Sequence, residues 1–440
     1  MYKVSMVSLG CPKNQVDAEM MLATLKNAGF EIGIEEAEAD AIIINTCGFI
    51  EAAKAEAIEN ILECSRYKAE GKCKALIVTG CLAERYQNDV TEEIPEVDVC
   101  VGIGSNGKIA EIVKNAIEGK GENSFGSKYD LDLNGDRILG GMPFTAYLKI
   151  GDGCDNCCTY CAIPKIRGRM RSRAIEDCVK EAKVLAERGV KELIVVAQDT
   201  TAYGEDIYGE SKLPELLSEL CKIEGIHWIR TLYTYPERIT DRLLEVIAKE
   251  KKLIKYLDIP LQHINGEILK KMNRRGDRES ITALIERIRE KVKGITLRTT
   301  LITGFPTETD EHFCEMAEFV KEARFDRLGC FTYSAEEDTV AANMEGQVEE
   351  QVKVDRMEHI MELQMGISAE LNQSKIGKTA EVLIEGYDDY IKCYFGRTES
   401  DAPEIDGKIF FLSGRPLKIG DFVKVRINDT LEYDLLGELI

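Results

Sequence analysis

The chain has 440 residues, 44% of them apolar and 31% charged, with a formal net charge of −21. That length leaves room for about three domains, each able to bury a core, and the composition excludes a disordered or collagen-like chain. The excess of acid counts against extended gripping of phosphate backbones, which takes clustered Lys and Arg. No apolar run reaches the ~18 residues of a membrane span, and the N-terminus lacks the apolar stretch of a secretion signal. Neither a membrane partner nor export is therefore expected. Fifteen cysteines, an odd number without a secretion signal, disfavour a disulfide framework and suit a reducing cytoplasm.

Through about residue 135, short Val- and Ile-rich runs alternate with amphipathic stretches. Strands are predicted at 3–9, 40–45 and 75–79, and helices at 16–28, 50–66 and 82–89. This alternation predicts an α/β domain over residues 1–135 with a parallel sheet covered on both faces. Cys11, Cys47 and Cys81 each fall just past the carboxyl end of a predicted strand and just before a helix. In open α/β sheets that edge forms the ligand crevice, so the three thiols are expected to converge on a metal site. Helix N-termini there favour thiolates and an anionic cluster. Cys64 and Cys73 lack this placement and read as structural.

Residues 120–142 are rich in Gly, Ser, Asn and Asp and read as a linker. Over residues 140–370, strands are predicted at 145–150, 192–197, 228–233, 253–259, 296–303 and 327–333, separated by helices at 176–188, 238–249, 278–293 and 310–323. Six strand–helix units predict a partial or full parallel barrel whose function lies on the loops after the strands. The loop after the first strand carries Cys154, Cys158 and Cys161 in a C-x3-C-x2-C spacing. Protein iron–sulfur cubes normally take four cysteines; three leave one iron open to a small molecule. Structural zinc takes four protein ligands, and the four histidines (His227, His263, His312, His359) lie far away in sequence. Cys157 breaks the spacing and reads as a neighbour.

Polar residues follow the other predicted strands, among them Gln198-Asp199, Thr234-Tyr235, Gln262-His263 and Thr303-Gly304. Gln198, Asp199, Gln262 and Arg298 are the candidate cofactor-pocket residues; His263 reads as packed rather than as a base. Arg167, Arg169, Arg171 and Arg173 alternate along one basic run, and three uses fit them: gripping an acidic substrate side chain, gripping a cofactor, or pairing with the barrel.

Residues 373–440 hold five short predicted strands, at 379–385, 390–395, 408–412, 422–427 and 434–439, and predict a small antiparallel β-barrel. Nine Lys or Arg against thirteen Asp or Glu make it a poor generic RNA clamp.

These motifs together resemble the radical S-adenosylmethionine methylthiotransferases from end to end. The first segment is similar to their methylthiotransferase domain, the second to the radical SAM barrel and the tail to a TRAM domain. Ser8-Leu9-Gly10-Cys11-Pro12-Lys13-Asn14, Asn45-Thr46-Cys47-Gly48-Phe49-Ile50 and Thr79-Gly80-Cys81-Leu82 look most like the RimO branch, which modifies an aspartate β-carbon in the twelfth protein of the small ribosomal subunit. The tRNA-modifying branch usually has Gly-Cys-Gln-Met-Asn in place of Gly10-Cys11-Pro12-Lys13-Asn14.

The resemblance implies that Cys154, Cys158 and Cys161 hold a 4Fe–4S cluster whose open iron chelates S-adenosylmethionine. Reductive cleavage would then give a 5′-deoxyadenosyl radical. It implies a second 4Fe–4S cluster on Cys11, Cys47 and Cys81, carrying a sulfur that another S-adenosylmethionine methylates. Both clusters must then face one cavity. Implied partners are the basic ribosomal protein or its subunit and a reductant such as flavodoxin or ferredoxin, without stable tRNA binding. An acidic tail suits a basic protein partner. The rivals are a tRNA adenosine methylthiotransferase and a noncatalytic electron carrier, which gains nothing from open irons.

Overall fold

Val and Ile crowd the first strands of the computed structural model, which describes residues 1–440. β1 (Lys3–Ser8), β2 (Glu31–Ile32), β3 (Ala41–Thr46), β4 (Ala75–Gly80) and β5 (Val99–Val101) form one parallel sheet in the order β2-β1-β3-β4-β5. β3 and β4 are buried along their whole length, as central parallel strands are when helices cover both faces. Helices Pro12–Asn27 and Ile109–Ile117 pack on one face through Met21, Leu25 and Ile112. Helix Glu51–Glu70 covers the other through Ala57, Ile61 and Cys64. β2 and β5 are too short to leave a periodic signal in the sequence.

The stretch expected to be a linker is anchored. Arg137 is buried; it pairs with Glu19 and Glu181 and donates to the Tyr147 carbonyl at 2.8 Å. One charged side chain with buried partners thus orders a segment whose composition suggests a loose connection.

The central domain carries β6 (Thr145–Lys149), β7 (Gly151–Asp152), β8 (Arg171–Ser172), β9 (Glu192–Val196), β10 (Trp228–Thr231), β11 (Tyr256–Gln262), β12 (Thr296–Thr303) and β13 (Arg327–Thr332). β6, β9 and β10 pair in parallel, as do β11, β12 and β13, and an Ile229–Leu253 bridge joins the halves. The six expected strands therefore make a partial barrel, open between β6 and β13. β7 and β8 form a short antiparallel ribbon at the base of the Cys154 loop.

After the long helix Glu350–Gln373, β14 (Thr379–Asp388), β15 (Cys393–Arg397), β16 (Ile409–Leu412), β17 (Phe422–Thr430) and β18 (Leu435–Leu439) close a barrel in the order β14-β15-β16-β18-β17. The barrel is not antiparallel throughout: β16 and β18 run parallel, because β18 turns back from β17 to lie between it and β16, and closure leaves no free edge.

The small barrel docks on residues that open the central strands. Glu192 accepts from Arg397 at 2.5 Å and from Arg230 at 3.1 Å, all three buried. Arg327 meets Asp401 at 2.5 Å, and Trp228 meets Phe422 edge-on at 4.7 Å. The C-terminal barrel thus closes the amino ends of the strands and leaves their carboxyl ends to the cysteine loops.

Removing one partner of a buried ion network costs about 3–5 kcal/mol, so Glu192→Ala should lower unfolding stability by that order in urea. Burial opposes the Glu192 charge, but Arg397 and Arg230 hold its carboxyl below the ordinary 4.5. Its contribution is therefore complete above pH 4.5 and is lost as pH falls through the folded value. Glu192→Gln should flatten that acid limb; an unchanged limb would show that other carboxylates set it.

Candidate active site

Glycines in left-handed conformation deliver two of the N-terminal cysteines. Gly10 has φ +90°, and a Cβ there would lie 2.7 Å from Cys47 Cβ; Gly80, at φ +94°, would drive one into the Thr46 carbonyl. Only glycine lets these strand ends approach so closely. Cys11 caps helix Pro12–Asn27, with its carbonyl accepting from the amides of Asn14 and Gln15 and Pro12 preset for the first turn. The Asn14 carboxamide donates to the carbonyls of Leu9 (2.8 Å) and Thr46 (3.2 Å), and the Thr46 hydroxyl donates to the Thr79 carbonyl at 2.6 Å. Three loops distant in sequence are thereby laced into one edge.

The buried Arg167 supplies their counter-charge. It donates to Cys81 Sγ at 3.4 Å, to Asn14 Oδ1 at 3.1 Å, and to Asp17 and Asp152 at 2.5 and 3.1 Å. Lys149 also pairs with Asp17. Burial disfavours the Cys11 thiolate, yet Lys13 and Arg167 bring its pKa below the ordinary thiol value. Burial pushes Cys47 up to about 12, helped by the neighbouring Cys81 thiol.

The second trio sits on the loop after β7. Cys157 is exposed, with φ 50°, and its carbonyl accepts from Asn273 Nδ2 at 3.0 Å; this left-handed step separates Cys154 from Cys158. The Cys161 amide donates to the Cys158 carbonyl at 3.0 Å. Cys158 Sγ lies 3.6 Å from the Tyr235 hydroxyl, and the Arg274 guanidinium lies 4.1 Å from the Tyr235 ring centroid. Burial pushes Cys154 up to about 12, so metal binding there must displace a proton.

The two trios meet. Cys81 packs with Ala162, the residue after Cys161, and with Ile166 on the short helix that follows, and Arg167 closes the same helix. Lys13 Nζ stands 3.5 Å from the Tyr233 ring centroid, two residues from Tyr235. On another side the buried Glu336, in the loop after β13, accepts from Arg85 at 2.8 Å and from the Glu51 amide at 2.9 Å. No three side chains close on a single ion, whereas the cysteines of a cube bind separate irons. Grouped, mostly half-buried thiols and adjoining cations fit an anionic iron–sulfur cluster in each place, and at the first trio the close approach at Gly10 leaves no room for a Cβ.

The other candidates divide. Gln198 Nε2 donates to Asp152 Oδ1 at 2.7 Å, and the buried Oε1 atoms of Gln198 and Gln262 have no protein partner. Both residues follow or end barrel strands. Asp199 is occupied: Oδ1 accepts from the Thr201 and Ala202 amides, and Oδ2 from Asn156 and Arg238. Arg298 donates to Asp258 and Thr300 and lies 3.6 Å from Asp406 of the C-terminal barrel. His263 is packed, its Nδ1 accepting from the amides of Ile264 and Asn265 and its Nε2 lying 3.4 Å from Glu308. In the basic run, Arg167 and Arg173 are buried in ion pairs, Arg171 binds the carbonyls of Lys128, Tyr129 and Leu131, and Arg169 is exposed. Lys13, Asp17, Tyr233 and Arg274 escaped sequence reasoning. The one available signal was charge at Lys13 and Asp17, four apart on a helix with a buried face.

The sequence matches the radical SAM superfamily over residues 148–320, the Uncharacterized protein family UPF0004 over residues 3–102 and the TRAM domain over residues 376–440. A ribosomal protein uS12 methylthiotransferase RimO from Desulforamulus reducens is 51% identical over 442 residues, covering 100% of both chains. Its namesake from Pelotomaculum thermopropionicum is also 51% identical, covering 100% of this chain and 99% of its own. The chain belongs to the RimO family of radical S-adenosylmethionine methylthiotransferases. Membership brings S-adenosylmethionine and 4Fe–4S clusters as cofactors. The radical S-adenosylmethionine methyltransferase TsrM from Kitasatospora setae, solved with tryptophan and a SAM analogue, superposes with a TM-score of 0.58 at 14% identity. The match covers 75% of this chain and 73% of that one, and it bears on the fold alone. No helix here is long and apolar enough to cross a membrane.

Gly10→Ala combines a disfavoured φ with a clash on Cys47. Anaerobically reconstituted G10A should hold roughly half the wild-type iron, with the Cys154 trio still loaded; full iron would disprove the tight-cradle account.

Proposed function

We propose that this protein transfers a methylthio group to the β-carbon of an aspartate in ribosomal protein uS12, with Cys154, Cys158 and Cys161 holding one cluster and Cys11, Cys47 and Cys81 the other. The observation that carries the reading is the packing of the two cysteine-bearing regions, Cys81 against the residues after Cys161 and the 233–235 loop lying beside Lys13 and Cys158. When bound, the cofactors supply the one-electron cleavage of S-adenosylmethionine and the sulfur to be delivered. The chain's own residues do the rest. Arg167 and Arg274 offset thiolate charge in a partly enclosed setting, where such attraction is strong. Tyr233 and Tyr235 wall the space between the trios, and burial keeps water from a reactive centre. Gln198 and Gln262 have free acceptor atoms for the donor groups of S-adenosylmethionine, while Asp199 and Arg298 hold the loops around it.

The acidic exterior supports a basic protein substrate over tRNA. A small electron donor such as flavodoxin or ferredoxin would supply the reducing electron, and the thiol-rich chain suits the reducing cytoplasm.

Two outcomes are expected. Replacing Cys11, Cys47 and Cys81 together by Ala should leave 5′-deoxyadenosine formation largely intact while abolishing methylthio transfer; loss of both in a folded protein would count against two separable sites. Across a salt series, wild-type protein should bind uS12 and not tRNA, and the reverse preference would reassign the substrate.

A further inference from the structure

Lys13 is only 7% exposed, on the first turn of the helix that Cys11 caps. A lysine taken out of water is costly unless a counter-charge meets it, and this fold otherwise obeys that rule. Lys54, Lys149 and Lys353 face carboxylates, as do Arg137, Arg167, Arg173, Arg230, Arg327, Arg356 and Arg397. Arg274 lacks one, but donates to the Pro260 carbonyl at 2.7 Å and the Tyr160 hydroxyl at 3.5 Å. Lys13 has neither a carboxylate nor a carbonyl: its ammonium lies over Tyr233, with the Cys11 thiol and Arg167 nearby.

The wall it faces is held in place. Tyr233 has φ 62°, a conformation a bulky residue keeps only where its surroundings impose it. Its amide donates to Asp258 Oδ2 at 2.9 Å, and Arg298 fixes Asp258 at 3.2 Å. Its carbonyl accepts from the Thr200 amide at 3.0 Å. Two residues on, Tyr235 touches Cys158. Lys13 therefore reaches from the helix behind the first trio to the loop whose Tyr235 touches the second.

We propose that Lys13 binds the side-chain carboxylate of the target aspartate and makes this site specific for an acidic residue. This assignment rests on the function proposed above. The carbon to be modified is bonded directly to the carboxylate carbon, so gripping the carboxylate fixes the reacting carbon one bond away. A neutral carboxamide there leaves the ammonium without a counter-charge, and a site built for a buried polar partner rejects analogues that lack it.

The test uses reconstituted wild-type, Lys13→Met and Lys13→Arg proteins with purified uS12 carrying either aspartate or asparagine at the target position. Turnover is measured on both forms, and calorimetric binding is measured with S-adenosylmethionine but without reductant. Wild type should bind the aspartate form about tenfold or more tightly than the asparagine form. Lys13→Met should bring that ratio to within about twofold without changing iron content, and Lys13→Arg should keep part of the preference. An unchanged ratio in Lys13→Met, or iron lost in parallel with activity, overturns the proposal in favour of a counter-ion for the thiolates. Absence of turnover by wild type on either form of uS12 overturns the function itself, and this assignment with it.

Discussion

One buried ionic knot fixes the geometry of the whole site. Asp17 lies on the helix that Cys11 caps, Asp152 two residues before Cys154, Lys149 at the end of β6, and Arg167 on the short helix after Cys161. Both cysteine loops are therefore tied to the same four side chains. Desolvating such charges consumes most of what their attraction returns, so the knot adds little net stability. It penalises misplacement: a shift of either domain by one helical turn leaves a charge buried without its partner.

The charge of the chain is distributed against its average. The sequence is strongly acidic, yet the space between the cysteine trios is bordered by Lys13, Arg167 and Arg274. A cationic interior accommodates thiolates and inorganic anions in low dielectric. An acidic exterior sets long-range attraction for a basic protein. The two fields act over different distances and do not conflict.

Barrel polarity separates support from chemistry. The amino ends of the strands are closed by the C-terminal barrel through Glu192, Arg230, Arg327 and Arg397. The carboxyl ends carry the Cys154 loop and Tyr235, and the N-terminal domain presents its cysteine edge to them. This division is usual for parallel barrels. Here it also keeps the charged seam beneath the strands apart from the thiols above them. Arg298 spans part of that distance, reaching Asp406 below and, through Asp258, the strained Tyr233 above.

The positions of the six cysteines, the six barrel strands and the strand–helix alternation of the first domain were legible because each is a local pattern. Spacing along the chain, two-residue or 3.6-residue periodicity and glycines before cysteines all act within a few residues. Four very short strands, β2, β5, β7 and β8, escaped because they hold too few residues to show a period. The linker escaped because its order comes from one arginine and partners far away in sequence. Arg167 stood out as part of a basic run, but nothing local distinguished its buried fate from the exposure of Arg169. Lys13 gave no hint that it would be enclosed without a carboxylate. Which charges pair, which stay unmatched and which thiols share a space depend on long-range packing. Sequence by itself determined the thiols and the strand ends that bear them, and tertiary structure alone decided their partners, because burial makes every charge depend on what the rest of the fold brings beside it.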